Sequence, residues 1–480
     1  MRIHFLHMND VHSQIESYMR LGHELRRLRS RLLNDSDAVF TFDIGDVLDR
    51  VRPETEATMG LLNAEMMAAI EVDGWVFGNN EGLTIPVADW SVLAERSKAN
   101  VFGTNLRDDS GQPFPCFVDY KTYAVGGIAI GIFGLTPAYT LPYRMLGVQP
   151  ADPFQRAQEA ARQLRAAGVD VVVCLSHLGL HDDRKLASQV PGIDVILGGH
   201  THQFMPEAER VGSTYIFQPG KHARAFGHTI VEIDPVSRDI QVVSRPMLVH
   251  HDTPFDPAME QVYRRYRRHI EEVLHRRVAS LPSRLPVLYD DESSFANLLA
   301  DVLYDEFHGD LAVMMTGALN ASLLPGDVSL DALLGACPTP TRPIVVSLTG
   351  QEIWDAIEQA IQPETFDKHG LGFGFRGGKI GYLVVSGAVI EYAESIDGRH
   401  HVSRIVIGDE TLHPDSMYRV ITCEYLWLSP VFASFHNARA IDYQEPLVRE
   451  VLLARLGDEG RIARAMTRRY VPAASVANTL

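Results

Sequence analysis

From residue 1 to about 250, short apolar runs alternate with stretches of helical spacing. The runs RIHFLHM, AVFTFDIG, GWVFGN, YAVGGIAIGIFGL, VDVVVCLSH, IDVILGGH, STYIFQPG and FGHTIVEI are rich in Val, Ile and Phe. They are bounded by Gly, Asp or His, as buried strands are when they exit into loops. Between them the spacing predicts helices at Leu21–Leu33 and Pro153–Ala167, the second opened by Asp152 and a proline at the first helical position. The first half therefore reads as α/β.

The pattern changes at Pro254. One long amphipathic linker helix is predicted over 254–280, with Met259, Val262, Tyr266, Ile270 and Val273 on one face and arginines on the other. Glu271 and Glu272 interrupt the basic run, which reads as a solvated face and not as an RNA-binding arm. After Pro282 a second α/β pattern follows, with DESSFANLLADVLYDEF as helix, DLAVMMTG as strand and RPIVVSLTGQEIWDAIEQAI as strand, turn and helix. The expected organisation is thus a domain at 1–253, a helix at 254–280 and a second domain at 281–480. GLGFGFRGGKIG (370–381) is a glycine-rich loop, but no G-x-G-x-x-G opens a helix after GIFGL, which argues against a dinucleotide-binding fold.

Composition narrows the function. The chain has 480 residues, 46% of them hydrophobic, and a formal charge of −17, long enough for two or three cores. That acidic balance opposes nucleic acid or an anionic membrane as the main partner, while leaving room for a small anionic substrate held through metal ions. No stretch approaches eighteen uninterrupted apolar residues, and MRIHFLHMNDVH enters a strand without the features of a secretory leader. Cys116, Cys174, Cys337 and Cys423 form no CxxC pair, so neither a disulfide framework nor a thiolate zinc site is expected. A cytoplasmic protein, monomeric or weakly self-associating, is the expectation.

Five segments place metal-ligand side chains just beyond an apolar strand: HMNDVH (Asp10, His12), FDIGDVLD (Asp43, Asp46, Asp49), GNNE (Asn79, Asn80, Glu81), LSHLGL (His177) and GGHTH (His200, His202). Loops at strand ends of α/β sheets converge on one edge, where sites assemble. Carboxylate, amide and imidazole together suit manganese, iron, cobalt or zinc, whereas oxygen ligands alone would suit magnesium or calcium. Each motif alone is weak; the ordered set of five is not.

With these motifs the chain resembles the 5′-nucleotidase family, a calcineurin-like metallophosphoesterase domain followed by a nucleotidase C-terminal domain. Weaker similarity runs through SFANLLADVL, RPIVVSLTGQEIWDAIE, GYLVVSG and MYRVIT. The resemblance implies an α/β/β/α two-sheet sandwich, a linker helix and a second α/β domain. It also implies two divalent ions, one held by Asp10, His12 and His202, the other by Asn79, His177 and His200, with Asp46 shared. Two cations about 3.5–4 Å apart lower the pKa of a water between them and hold phosphate oxygens for in-line attack. Asp43 is expected to orient a ligand or the turn. The implied activity is hydrolysis of phosphate esters, most of all nucleotides. The alternatives are a 2′,3′-cyclic nucleotide phosphodiesterase, a nucleotide-sugar diphosphate hydrolase, or a nucleotide- or metal-binding regulator with weak turnover.

The chain departs from the family in two places. The family's GNHE is GNNE here, so the catalytic set becomes Asp46, Asn80 and Glu81, and Asn80 can donate a hydrogen bond but cannot transfer a proton at neutral pH. GNNEG resembles a cytoplasmic bacterial branch. Glu81 or His228 is a possible partial substitute for the missing histidine. In the second half, TGALN and CPTPTR stand where the family has a phosphate-binding arginine and a base-stacking phenylalanine. Arg342, Arg376 and Lys379 are the candidate replacements for charge, and Phe373, Phe375 and Tyr382 for stacking.

Overall fold

The computed structural model describes residues 1–34, 38–234, 237–372, 375–396 and 398–473, without the side chains of 371, 372 and 375–377. The chain divides into two compact units, Met1–Glu271 and Glu272–Leu480.

The first unit carries β1 (Arg2–Met8), α1 (Ile15–Asn34), β2 (Ala38–Asp43), β3 (Gly74–Val76), α2 (Asn79–Thr84), β4 (Asn100–Phe102) and β5 (Phe117–Val118). It continues through β6 (Tyr120–Val125), β7 (Ile128–Leu135), α3 (Pro153–Ala166), β8 (Val171–Ser176), α4 (Leu180–Gln189), β9 (Val195–Gly198), β10 (Glu209–Val211), β11 (Thr214–Phe217), β12 (Ala225–Ile233) and β13 (Ile240–Leu248). One sheet runs β13-β12-β1-β2-β3-β4-β5 and the other β10-β11-β9-β8-β7-β6. Ile3, Phe5 and Phe42 of the first pack against Ile130, Ile132, Val173, Leu175 and Leu197 of the second in one core. On the far side of the second sheet, Phe133, Val172, Cys174 and Ile196 meet Ala157, Ala161 and Leu164 of α3 and Leu186 of α4. Strands covered on both faces read as unbroken apolar runs, as VVVCLS does in β8. The fold class is the expected mixed α/β sandwich.

The helix expected at Pro153–Ala167 ends at Ala166, its start fixed by Asp152, whose carboxylate accepts the Gln155 N–H at 2.8 Å. The helix expected from Leu21 begins six residues earlier, at Ile15. The helix expected over 254–280 spans Pro257–Leu274. Met259, Val262 and Ile270 are buried, Asp256 pairs with Arg26 at 3.1 Å, and Tyr266 donates to Glu65 at 2.9 Å. The body of this helix is therefore packed on the first unit. In the second unit, strands Leu311–Met315, Pro343–Thr349, Leu383–Ser386, Met417–Cys423 and Arg439–Tyr443 form a mixed sheet against helix Ser294–Glu306.

Register decides where the site falls. β1 and β2 run parallel with Met8 opposite Asp43, and β8 and β9 run parallel with Ser176 opposite Gly198. The loops leaving these strands are stitched together: Asp10 N–H donates to Gly45 O at 3.0 Å, His12 N–H to Asp46 O at 2.9 Å, and Gly199 N–H to Ser176 O at 3.0 Å.

Candidate metal centre

The five strand exits bring their side chains to one place. Ligand atoms of Asp10, His12 and His202 lie within 4.8 Å of one another, and so do those of Asp46, His177 and His200. The two groups adjoin: His177 Nε2 is 3.4 Å from Asp46 Oδ2 and 3.9 Å from Asp10 Oδ1, and His12 Nε2 is 3.9 Å from Asp46 Oδ2. His202 Nε2 stands 3.4 Å from Asp10 Oδ1 and 3.1 Å from His12 Nε2.

The backbone is bent to achieve this. Asp10, His12, Asp46, His200 and His202 all have left-handed φ values, from +48° to +73°. Side chains other than glycine rarely take that conformation, at a cost of about 1–3 kcal/mol each, and such residues gather at functional sites. Gly45 at φ +94° has no room for a side chain, since a Cβ there would lie 2.6 Å from Gly78 N and 2.7 Å from His177 Nδ1.

The residues fit divalent ions by an observation independent of motif. Asp10 Oδ1, Asn79 Oδ1 and His177 Nε2 are buried atoms without a hydrogen-bond partner. Buried polar atoms are paired in all but a few cases, and two of these, on Asp10 and His177, stand 3.9 Å apart within the cluster, a pairing that suits a cation. The His177 proton agrees. His177 Nδ1 donates to Ile44 O at 2.6 Å, which turns its Nε2 toward the cluster, and His12 Nδ1 lies 3.1 Å from Asp49 Oδ2 and 3.0 Å from the Asn80 amide nitrogen. Tyr139 Oη lies 3.2 Å from His200 Nε2.

The charges press on one another strongly. Burial works to raise Asp10 and Asp46, but the histidines around them hold both below the usual carboxylate range. Burial opposes the charged form of His177, yet Asp46 and Asp10 push it up to about 10. Burial and then His177 take His200 down to about 4. Burial and then Glu81 drive Asp43 well above the usual range, and its Oδ1 accepts the Gly45 N–H at 2.9 Å.

Asn80 and Glu81 do different work. Asn80 N–H donates to Asp46 Oδ1 at 2.9 Å, and its side-chain amide meets His12 Nδ1 at 3.0 Å. Glu81 is fully buried, accepting Asp46 N–H (3.0 Å) and Gly78 N–H (2.8 Å) on Oε2 and Leu48 N–H (3.0 Å) on Oε1. Burial, then Asp46, pushes Glu81 up to about 7. His228 is engaged with His4, ring nitrogens 2.9 Å apart.

The charge and stacking candidates all belong to the second unit by position. Arg342 is buried; its N–H donates to Glu424 Oε1 at 2.9 Å and its guanidinium to the Glu445 carbonyl. Tyr382 is buried edge-on to Tyr470, ring centres 5.0 Å apart, and Lys379 pairs with Asp367 at 2.5 Å. Phe373 lies outside the described residues, as do the side chains of Phe375 and Arg376, which sit on the strand Phe375–Lys379.

Four neighbours of the cluster escaped the sequence reading. Tyr139 is one. Asn9 donates to Asp10 Oδ2 at 2.6 Å and to Gly220 O at 2.7 Å. Lys221 Nζ is 3.1 Å from His202 Nδ1, and His222 N–H donates to Asp10 O at 2.8 Å. The signal for the last two was present: STYIFQPG is a sixth strand exit, and they follow it directly.

A two-sheet sandwich whose strand ends converge Asp, His and Asn in this way defines a metallophosphoesterase. The chain belongs to the 5′-nucleotidase family of such enzymes. Residues 3–204 match the calcineurin-like phosphoesterase family and residues 277–429 the 5′-nucleotidase C-terminal domain. The uncharacterized metallophosphoesterase YunD of Bacillus subtilis is 30% identical over 455 residues, 94% of this chain and 98% of that one. Human 5′-nucleotidase is 23% identical over 74% of this chain and 71% of its own. Among solved structures, the NAD nucleotidase of Haemophilus influenzae shares the fold, with a TM-score of 0.69, 16% identity and coverage of 99% and 98%. The chain is an enzyme of metal-dependent phosphoester hydrolysis.

Proposed function

We propose that the substrate is a nucleotide and that phosphate is released at a centre of two ions sharing Asp46. Asp10, His12 and His202 would hold one ion, and Asn79, His177 and His200 the other. Manganese, zinc, iron and cobalt all suit this mixed donor set. The observation that carries the reading is the trio of unpaired buried atoms, one on each of Asp10, Asn79 and His177. The ions, when bound, supply a nucleophile at neutral pH and positive charge for phosphate oxygens. Asp46 is aimed by the Asn80 N–H, and Glu81 positions the Asp46 turn through three backbone amides. Ile44 O fixes a proton of His177 on Nδ1, and Asp49 holds the His12 ring through its Nδ1.

Nucleotide as substrate class is supported by relatives named as 5′-nucleotidases and by the trifunctional nucleotide phosphoesterase YfkN of Bacillus subtilis, 24% identical over 95% of this chain. Asn80 favours a second reading beside it, an ester whose leaving group needs no proton, because an amide transfers none. A nucleotide diphosphate, which leaves as a phosphate and not as a ribose alkoxide, fits that description. A cytoplasmic setting is part of the proposal, supported by four free cysteines. Among the described residues no helix is long and apolar enough to cross a membrane. The test is phosphate release by the manganese-loaded protein from nucleoside monophosphates, cyclic nucleotides and nucleotide sugars. Turnover on one class identifies the substrate, and binding without turnover on all three would make the protein a regulator.

A further inference from the structure

We propose that Lys221 is the cation that meets the substrate's phosphate at the Asp10, His12 and His202 end of the centre. The proposal rests on the two-ion reading above and adds a residue that the motifs do not include.

Lys221 is held in place by its surroundings. Gly220 before it has φ +103°, and His222 and Ala223 after it have φ +60° and +55°, so the chain makes a tight left-handed turn. Asn9 clasps Gly220 O and Asp10 Oδ2 together, and His222 N–H donates to Asp10 O, tying the turn to a ligand loop at both ends. Among the described residues no carboxylate lies within ion-pair distance of the Lys221 ammonium. Its polar contact is His202 Nδ1, at 3.1 Å.

That contact is informative through its donor count. An ammonium has protons to give and no lone pair, so Nδ1 of His202 must be the acceptor and the ring's own proton must sit on Nε2. Nε2, however, is the nitrogen that faces Asp10 and His12. Ligation of a cation through Nε2 needs its lone pair, which in a neutral ring moves the proton to Nδ1. Lys221 would then face an N–H and could no longer donate to it. The arrangement in which His202 ligates is therefore the one in which Lys221 is released to an anion.

The site needs such a charge. Asn80 is a neutral amide where the family has histidine. Charge-assisted hydrogen bonds to phosphate are among the strong ones. Ligation by His202 and phosphate binding by Lys221 favour the same state, so each strengthens the other.

The experiment titrates inorganic phosphate into manganese-loaded wild type, Lys221→Met and Lys221→Arg by calorimetry, after measuring manganese affinity for each without phosphate. The expected result is phosphate binding weakened about tenfold or more in Lys221→Met, largely restored in Lys221→Arg, with manganese binding in Lys221→Met equal or tighter. Phosphate binding by Lys221→Met within about twofold of wild type overturns the proposal, on the scale expected for a lost charged hydrogen bond. Weaker manganese binding in Lys221→Met also overturns it, since Lys221 would then support His202. Wild type that binds neither manganese nor phosphate would sink the two-ion reading itself, a separate outcome.

Discussion

Asn80 is anchored through its backbone to Asp46 and through its side chain to the ring of His12. An imidazole there would restore a group able to protonate a leaving alkoxide. Asn80→His is therefore expected to raise turnover of a nucleoside monophosphate at least about tenfold, while p-nitrophenyl phosphate, whose phenolate needs no proton, changes less. Loss of both activities with the metal content intact would show that Asn80 is fitted to this enzyme's own substrate. Asp183 gives a prediction about pH. It is fully buried on α4, accepts from Ser176 Oγ at 2.5 Å and Gln218 Nε2 at 3.0 Å, and burial pushes it up to about 7. A carboxyl protonated in the fold but ionised in the unfolded chain contributes stability below about pH 4, and that contribution is lost as pH rises to about 7. Asp183→Asn should flatten this fall. Unfolding midpoints of variant and wild type, followed from pH 4 to 8, would contradict the assignment if they ran parallel. These residues also mark the limit of sequence reading. The Asp and His side chains that gather at the strand exits could be picked out by residue type and position, but the partners of Asn80 and Asp183 depend on long-range packing that no local spacing encodes.

At the level of elements, the active edge is made by loops held to one another, and α2 is the piece that aims Asp46. A Cβ on Gly78, the residue before α2, would lie 2.1 Å from Asp46 Oδ1 and 2.5 Å from Asp46 N. Gly78→Ala must push the Asp46 turn aside, at a cost of about 1–3 kcal/mol. The variant should remain folded by circular dichroism but lose at least one of its manganese equivalents; full retention would mean that Asp46 is not held this way. The strands and their order of exits were readable from apolar runs ending in Asp, Asn or His. The role of the helix at Pro257–Leu274 was not. Its amphipathic face was evident, yet only the structure shows Met259, Val262 and Ile270 buried, because a linker helix and a docked one share the same periodicity.

Across the whole molecule, the two residue groups that could hold a metal ion both lie within Met1–Glu271. Binding to the folded state stabilises what it touches, so manganese should slow hydrogen exchange at residues 9–13, 44–50, 78–81, 199–203 and 220–223. Protection appearing only beyond residue 272 would place the ions elsewhere. The second unit was legible as α/β but not as a recognition surface, since Arg342 and Tyr382 turn out to be interior residues of that unit. The most direct test of the account is the metal content of Asp46→Ala beside wild type, measured after manganese loading and dialysis. Two equivalents in wild type and at most one in the variant are expected, because Asp46 is the ligand assigned to both ions. Two equivalents retained in Asp46→Ala would contradict the shared carboxylate on which the centre is built.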